Sequence, residues 1–396
     1  MVVAAEHVGF ELCRDALWFE DRCTWQTDSM RGNKVVLQTC DPFLYDGLAG
    51  IALFLSHLYA VTNDEIFKET ALGALSQMVV MLAETESKSQ GFYVGEAGCI
   101  YALYSASKLL DKPDLEKTGE GLLTRLFHKT ITDQNVDIIS GYAGQILGIL
   151  RCTPNPDLNT SHYLSRLSDA MMEKSTSVNN MLIWKDPTYP DRKALTGYSH
   201  GNAGMVASLA GLKQAGVGDI DKKDIDAIVQ YESVNFVIDK GNWRDLRFEK
   251  TIDVHCSTTW CHGAPGILLS RIKLYQVFRE DRFFDHIKTA IRTIERHLDD
   301  NIHSPKSNLS LCHGLYGNLD TLLCASNVTN SGVYLAKVRH YAQKILRNDD
   351  DGVYDTRYGV YALDAYVPGL MGGEAGFGYL LLRLHSPDSV PSVLDL

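Results

Sequence analysis

Gly-x-x-Gly recurs seven times along this chain, and nothing else in the sequence limits the fold so strongly. The copies are Gly47-Leu48-Ala49-Gly50, Gly95-Glu96-Ala97-Gly98, Gly141-Tyr142-Ala143-Gly144, Gly201-Asn202-Ala203-Gly204, Gly263-Ala264-Pro265-Gly266, Gly314-Leu315-Tyr316-Gly317 and Gly373-Glu374-Ala375-Gly376. Their first glycines are separated by 48, 46, 60, 62, 51 and 59 residues. Near-regular return of one motif marks a repeat architecture, in which each unit buries its apolar face only against its neighbours. Each copy opens an apolar stretch with little polar face, such as Ile51-Ala52-Leu53-Phe54-Leu55, which predicts a helix buried all round. The stretches between them, such as 64–83 and 282–298, alternate apolar and charged residues at helical spacing and predict outer helices. The expected fold is all-α: an α/α toroid of seven inner and seven outer helices, closed so that no terminal apolar helix is left bare. All seven glycine turns would then lie at one mouth. One domain over residues 1–396 is expected, with 1–40 an N-terminal helix and polar lead-in and 41–396 the seven-repeat toroid.

A net charge of -11 without a Lys/Arg-rich run argues against a nucleic-acid partner. Nine cysteines, an odd number without framework spacing, point to reduced, buried or metal-bound thiols. Met1 to Ala5 lacks the basic start of an export signal, and no apolar run reads as a membrane segment; Leu48 to Val61 comes closest and is interrupted by Ser56 and His57. A cytoplasmic location is the expectation.

Two of the glycine turns carry the chemistry. Trp260-Cys261-His262-Gly263 and Leu311-Cys312-His313-Gly314 each set a cysteine and a histidine at the same phase of the repeat. Cys261, Cys312 and His313 form a soft two-sulfur, one-nitrogen set suited to Zn2+, with one tetrahedral position left over. His262 has two readings, a group supporting the site or a substrate contact, because a fourth protein ligand would close it. His200, one residue before Gly201, falls in register with His262 and His313. It reads as a general acid or base, or as a capping histidine. Asp137, four residues before Gly141, could orient that histidine or cap a helix. Asp46, before Gly47, reads as structural. Phe236 to Thr259 is long for a connection, and since it runs into Trp260-Cys261 it is expected to border the site.

These turns, with Ser199-His200-Gly201, resemble the lanthionine synthetase C-like cyclases over nearly the whole chain from Tyr45. Gly241-Asn242-Trp243-Arg244-Asp245-Leu246-Arg247, the Ala264-Pro265 turn, Pro368 to Gly373 and Pro391-Ser392-Val393-Leu394 are closer to the cyclase half of class II lanthipeptide synthetases. The resemblance implies zinc on Cys261, Cys312 and His313, with His200 and Asp137 as catalytic residues. It implies addition of a peptide cysteine thiol to dehydroalanine or dehydrobutyrine, giving a (methyl)lanthionine ring. The implied partners are a dehydrated precursor peptide and a dehydratase, separate or fused, and the role is compatible with a membrane-associated biosynthetic complex. Relatives that add or bind glutathione supply the alternative. Class I members carry a tyrosine where this chain has His262, and an arginine shortly before the first zinc cysteine where it has Ser257-Thr258-Thr259. Arg244 or Arg247 is expected to supply that missing cation.

Overall fold

The computed structural model describes residues 1–31, 34–84, 89–131, 135–186, 191–248, 254–329, 332–354 and 365–396. Each glycine turn opens an α-helix: α2 (Leu48–Thr62), α4 (Glu96–Leu109), α6 (Tyr142–Cys152), α8 (Asn202–Gln214), α10 (Ala264–Phe278), α12 (Leu315–Thr329) and α14 (Glu374–His385). Alternating with them are α1 (Val2–Asp15), α3 (Glu65–Glu84), α5 (Pro113–His128), α7 (Leu158–Glu173), α9 (Lys222–Val234), α11 (Asp281–Asn301) and α13 (Gly332–Asp350). Among the described residues the division is the expected seven and seven, with α1 as the seventh alternate helix. The sequence predicts an N-terminal helix there, and α1 packs on α14 and α3.

The polar lead-in after α1 holds strands that the sequence does not announce. It forms two antiparallel hairpins, β1 (Leu17–Phe19) with β2 (Arg22–Thr24) and β3 (Gln26–Arg31) with β4 (Lys34–Thr39). Asp28 fixes the second hairpin, donating its N–H to Tyr366 O (3.0 Å) and accepting the Tyr366 N–H on Oδ2 (2.9 Å). Two short hairpins follow later, β5 (Thr176–Val178) with β6 (Met181–Ile183) and β7 (Phe236–Val237) with β8 (Asn242–Trp243).

The contacts group the chain into two compact units. The first comprises residues 1–128, 302–316 and 339–393. In it α2 packs on α3 and α4, α4 on α5, and α14 on α2, with Phe54, Phe67, Met78 and Tyr379 buried between them. By length and composition α3 could cross a bilayer, against the expectation that no run would; Phe67, Ala71, Ala74, Leu75 and Met78 on it lie in the core. The second unit comprises 129–301, 317–338 and 394–396. There α8 packs on α6, α9 and α10, and α10 on α11. Arg271 of α10 is wholly buried and paired with the equally buried Glu232 of α9.

One hydrogen-bond rule explains the repeat. The first N–H of a helix has no acceptor within the helix, and a glycine before it offers no side-chain cap. In six of the turns that N–H donates to the carbonyl seven residues back: Leu48 to Asp41 (2.9 Å), Glu96 to Ser89 (3.3 Å), Tyr142 to Asn135 (3.0 Å), Asn202 to Leu195 (3.0 Å), Leu315 to Asn308 (2.8 Å) and Glu374 to Val367 (2.9 Å). The chain must double back tightly to make this bond. A Cβ on Gly144 would sit 1.9 Å from Ile138 O, so the second glycine is fixed by backbone proximity.

Candidate metal centre

The Cys312 turn, in the first unit, follows the rule. Ser310 Oγ accepts the His313 N–H (3.1 Å) and Ser310 O the Gly314 N–H (3.0 Å), while Cys312 N–H donates to Met371 O (3.1 Å). The thiol is buried, 2% exposed, and its Sγ lies 3.7 Å from Nε2 of the exposed His313. Desolvation pushes the Asp46 carboxyl up to about 6, opposed by a hydrogen bond from Gly372 N–H (2.9 Å) and by the charge of His313. The structural reading of Asp46 therefore leaves out its electrostatic coupling to His313. Its phase, one residue before Gly47 as His313 is before Gly314, was the available signal.

The Cys261 turn, in the second unit, breaks the rule. Ala264 N–H donates not to Ser257 O but to Asn242 Oδ1 (2.9 Å), and Asn242 Nδ2 donates to Ser257 O (3.0 Å). A side-chain amide is thus inserted into the turn's own hydrogen bond. Gly263 sits at φ +90, where an added Cβ would meet Ser257 O at 1.7 Å; only glycine serves here. Thr259 Oγ1 accepts the His262 N–H (3.3 Å) and contacts Cys261 Sγ (3.3 Å). Beneath the turn, Trp260 Nε1–H donates to Leu394 O (3.2 Å) and the Trp260 ring packs on Tyr198 (5.9 Å).

The His200 turn is regular and docks on the Cys261 turn through Ser199, whose N–H and Oγ reach Cys261 O at 3.4 and 3.3 Å. His200 Nδ1 lies 2.6 Å from Asp137 Oδ2, and Asp137 Oδ1 accepts the Ser140 N–H (2.9 Å). Desolvation pulls the His200 pKa down, but the hydrogen bond and charge of Asp137, helped by Cys261, outweigh it and leave it raised. His262 goes the other way: 3% exposed, it is lowered to about 4 by burial and by the Arg247 and His200 charges.

The stretch from Phe236 to Thr259 does border this site, through β7–β8 and two 3-10 turns; its residues 249–253 lie outside the described residues. Asp245, buried, chelates Arg247 (Nε to Oδ1 3.0 Å, Nη2 to Oδ2 2.7 Å) and accepts the Ser257 hydroxyl (2.5 Å). Arg247 acts electrostatically on both His200 and His262. Arg244 is engaged through its carbonyl, which accepts the Thr196 hydroxyl (2.9 Å).

Cys261 Sγ, Cys312 Sγ and a ring nitrogen of His313 lie within 4.8 Å of one another, and His262 stands outside that group. Two sulfurs on a tetrahedral zinc, each at about 2.3 Å, are about 3.8 Å apart. The donor set therefore fits that ion in chemistry.

The sequence pattern of the lanthionine synthetase C-like proteins matches residues 39–394. The chain belongs to the lanthionine synthetase C-like family. Within that family, it is 24% identical over 387 residues to the lacticin 481/lactococcin biosynthesis protein LcnDR2 of Lactococcus lactis subsp. lactis, covering 92% of this chain but 38% of that protein. It is also 24% identical over 365 residues to glutathione S-transferase LANCL1 of Danio rerio, covering 87% of this chain and 82% of that one. Among solved structures, nisin cyclase superposes with a TM-score of 0.66 at 20% identity, covering 88% of this chain and 90% of the cyclase. That likeness shows a shared fold, all-α as the glycine repeat predicts.

Proposed function

We propose that this chain is a zinc-dependent lanthipeptide cyclase, adding cysteine thiols of a dehydrated precursor peptide to dehydroalanine or dehydrobutyrine residues. The proximity of Cys261, Cys312 and His313 carries the reading, because three soft ligands suit a catalytic zinc with one open position. Bound there, zinc would hold a substrate thiol as thiolate at neutral pH. In the overall addition a carbon–sulfur bond forms at the β-carbon, the π pair moves toward the α-carbon and carbonyl, and a proton balances the charge at the α-carbon. His200 is the residue we assign to that proton. Asp137 occupies its Nδ1, which leaves Nε2 to deliver, and the raised pKa keeps the ring protonated further into the neutral range. Arg247, fixed by Asp245, is assigned to the enolate oxygen. Closure of the helix pairs into one toroidal domain over residues 1–396, a cytoplasmic location and a dehydratase partner belong to the same reading.

The second reading is addition of glutathione to an unsaturated acceptor. It is favoured by the relative named as a glutathione S-transferase, most of whose length this chain spans. Both readings share the bond made and differ in whether the thiol is in the same molecule as the acceptor. A synthetic peptide carrying one cysteine and one dehydroalanine, followed by iodoacetamide trapping and mass spectrometry, separates them. Cyclisation consumes the thiol without a mass change; with glutathione added, the alternative gives a glutathione adduct. His200→Ala should lower kcat by about 100-fold, the scale of a lost general acid. If zinc-loaded protein accelerates neither addition above buffer, both readings fall.

A further inference from the structure

Cys-His-Gly occurs in two turns, yet only one of the two histidines joins the candidate ligand group. A neutral imidazole beside Cys261 is as good a ligand as the one beside Cys312. If both bound, two sulfurs and two nitrogens would saturate a tetrahedral ion and leave no place for a substrate thiol. Something must hold His262 away.

The regular turns show what differs. Gly47, Gly141, Gly201 and Gly373 are extended, with φ of -113, -110, -132 and -145. In two such hydrogen-bonded turns the histidine before the glycine faces outward: His313 is exposed, and the His200 side chain is 46% exposed. At Gly263 φ is +90, and rotating the peptide there re-aims the residue before it. His262 is 3% exposed, with its Nδ1 2.9 Å from where a Cβ on Gly197 would stand. The inserted amide of Asn242 accompanies this rotation. The Gly95 turn is the useful control: it has a comparable bridge, Gln90 to Gly95, matching Thr258 to Gly263, yet it keeps the direct helix-capping bond at 3.3 Å. Asn242 is well fixed for the task, being 3% exposed, accepting the Trp243 N–H (2.8 Å) and donating also to Thr258 Oγ1 (3.2 Å).

We propose that Asn242 is a positioning residue that keeps His262 out of the metal's ligand set, and so preserves the open position for substrate sulfur. This rests on the metal reading above and adds to it the reason why that site does not close. Without the amide, Ala264 N–H can bond directly to Ser257 O, Gly263 can rotate back at little cost, and His262 can turn toward the ion.

The test is titration of the metal-free full chain with Co2+, read by competition affinity and by the cobalt absorption spectrum. Asn242→Ala should bind Co2+ about tenfold or more tighter, the scale on which one neighbouring group changes metal affinity. Its spectrum should change as a fourth protein ligand arrives, and thiol addition should fall. His262→Ala alone should keep the wild-type affinity, and His262→Ala on top of Asn242→Ala should restore it. Asn242→Asp keeps the cap for Ala264 but loses the donor to Ser257; it should tighten binding less, and it decides the matter if the alanine variant fails to fold. Unchanged or weaker binding in the folded Asn242 variant, or tightening that survives His262→Ala, overturns the proposal. Wild-type protein that takes up no Co2+ ends both this inference and the zinc reading. Wild-type protein that binds Co2+ through its thiolates but adds no thiol ends only the proposed function, since the affinities still judge Asn242.

Discussion

The turns at Cys261 and Cys312 share the letters Cys-His-Gly and the same place in the repeat, and they are built differently. At Cys312 the helix is capped from within the turn, by Asn308 O. At Cys261 the cap arrives from 22 residues away, through the side chain of Asn242. The phase of a repeat therefore tells where along the chain a reactive side chain falls, but not which way it faces. Facing is set by the bond that closes the turn, and that bond can be supplied by a distant residue.

Substituting the two glycines gives the largest effect and the harshest test of this contrast. Gly263→Ala meets both a positive φ and Ser257 O at 1.7 Å, whereas Gly314→Ala meets Asn308 O and Ser310 N at 2.4 Å. Backbone strain of about 1–3 kcal/mol should add to the clash only at Gly263. Chemical denaturation should show Gly263→Ala as the more destabilised, by at least about 1 kcal/mol, on that scale. Equal losses would mean that Gly263 carries no strain of its own and that the two turns are closer than they look.

The next effect in size concerns the histidine of the regular turn nearest the Cys261 turn. Three charged or titratable groups act on His200, namely Asp137, Cys261 and Arg247, and Asp137 dominates those that raise it. The raised pKa means the cation persists above the usual imidazole range and is lost as pH rises through the raised value. If the cation delivers the proton, the rate is full below that pKa and declines above it. Asp137→Asn removes the charge, so the decline in kcat should move to lower pH, with the plateau reduced up to about tenfold because orientation is partly kept. A decline that stays where it was in wild type would detach Asp137 from the titrating step.

Much of this was legible from residues alone, for a physical reason. The glycine turn needs two residues without a Cβ at fixed spacing, so Gly47-Leu48-Ala49-Gly50 and its six counterparts each announce the helix that follows. Cys261, Cys312 and His313 were readable because chemistry was superposed on that spacing. The strands β1 to β4 were not, since they are short, largely exposed and tied down by distant partners such as Tyr366, which pairs with Asp28. The division between His262 and His313 was also hidden. It depends on whether one amide reaches Ser257 and Ala264, and the motif containing Asn242 shows only that something sits before the Cys261 turn.

The smallest effect separates what the two turns still share. Each has a hydroxyl three residues before its histidine that accepts the histidine N–H: Thr259 for His262 at 3.3 Å, and Ser310 for His313 at 3.1 Å. Thr259→Val and Ser310→Ala should each cost about 1 kcal/mol, the usual worth of one such bond. Only Thr259 also touches a sulfur, at 3.3 Å from Cys261. The Thr259 hydroxyl proton has two acceptors in reach, His262 O at 3.2 Å and Cys261 Sγ at 3.3 Å; turned to the sulfur it stabilises a thiolate, so its loss should weaken Co2+ binding by a few-fold, about 1 kcal/mol, in Thr259→Val. Thr259→Ser keeps the donor and should bind as wild type does. Ser310→Ala, whose hydroxyl accepts the His313 N–H, should lose stability alone, and a fall in its metal affinity matching that of Thr259→Val would reduce both hydroxyls to ordinary turn supports.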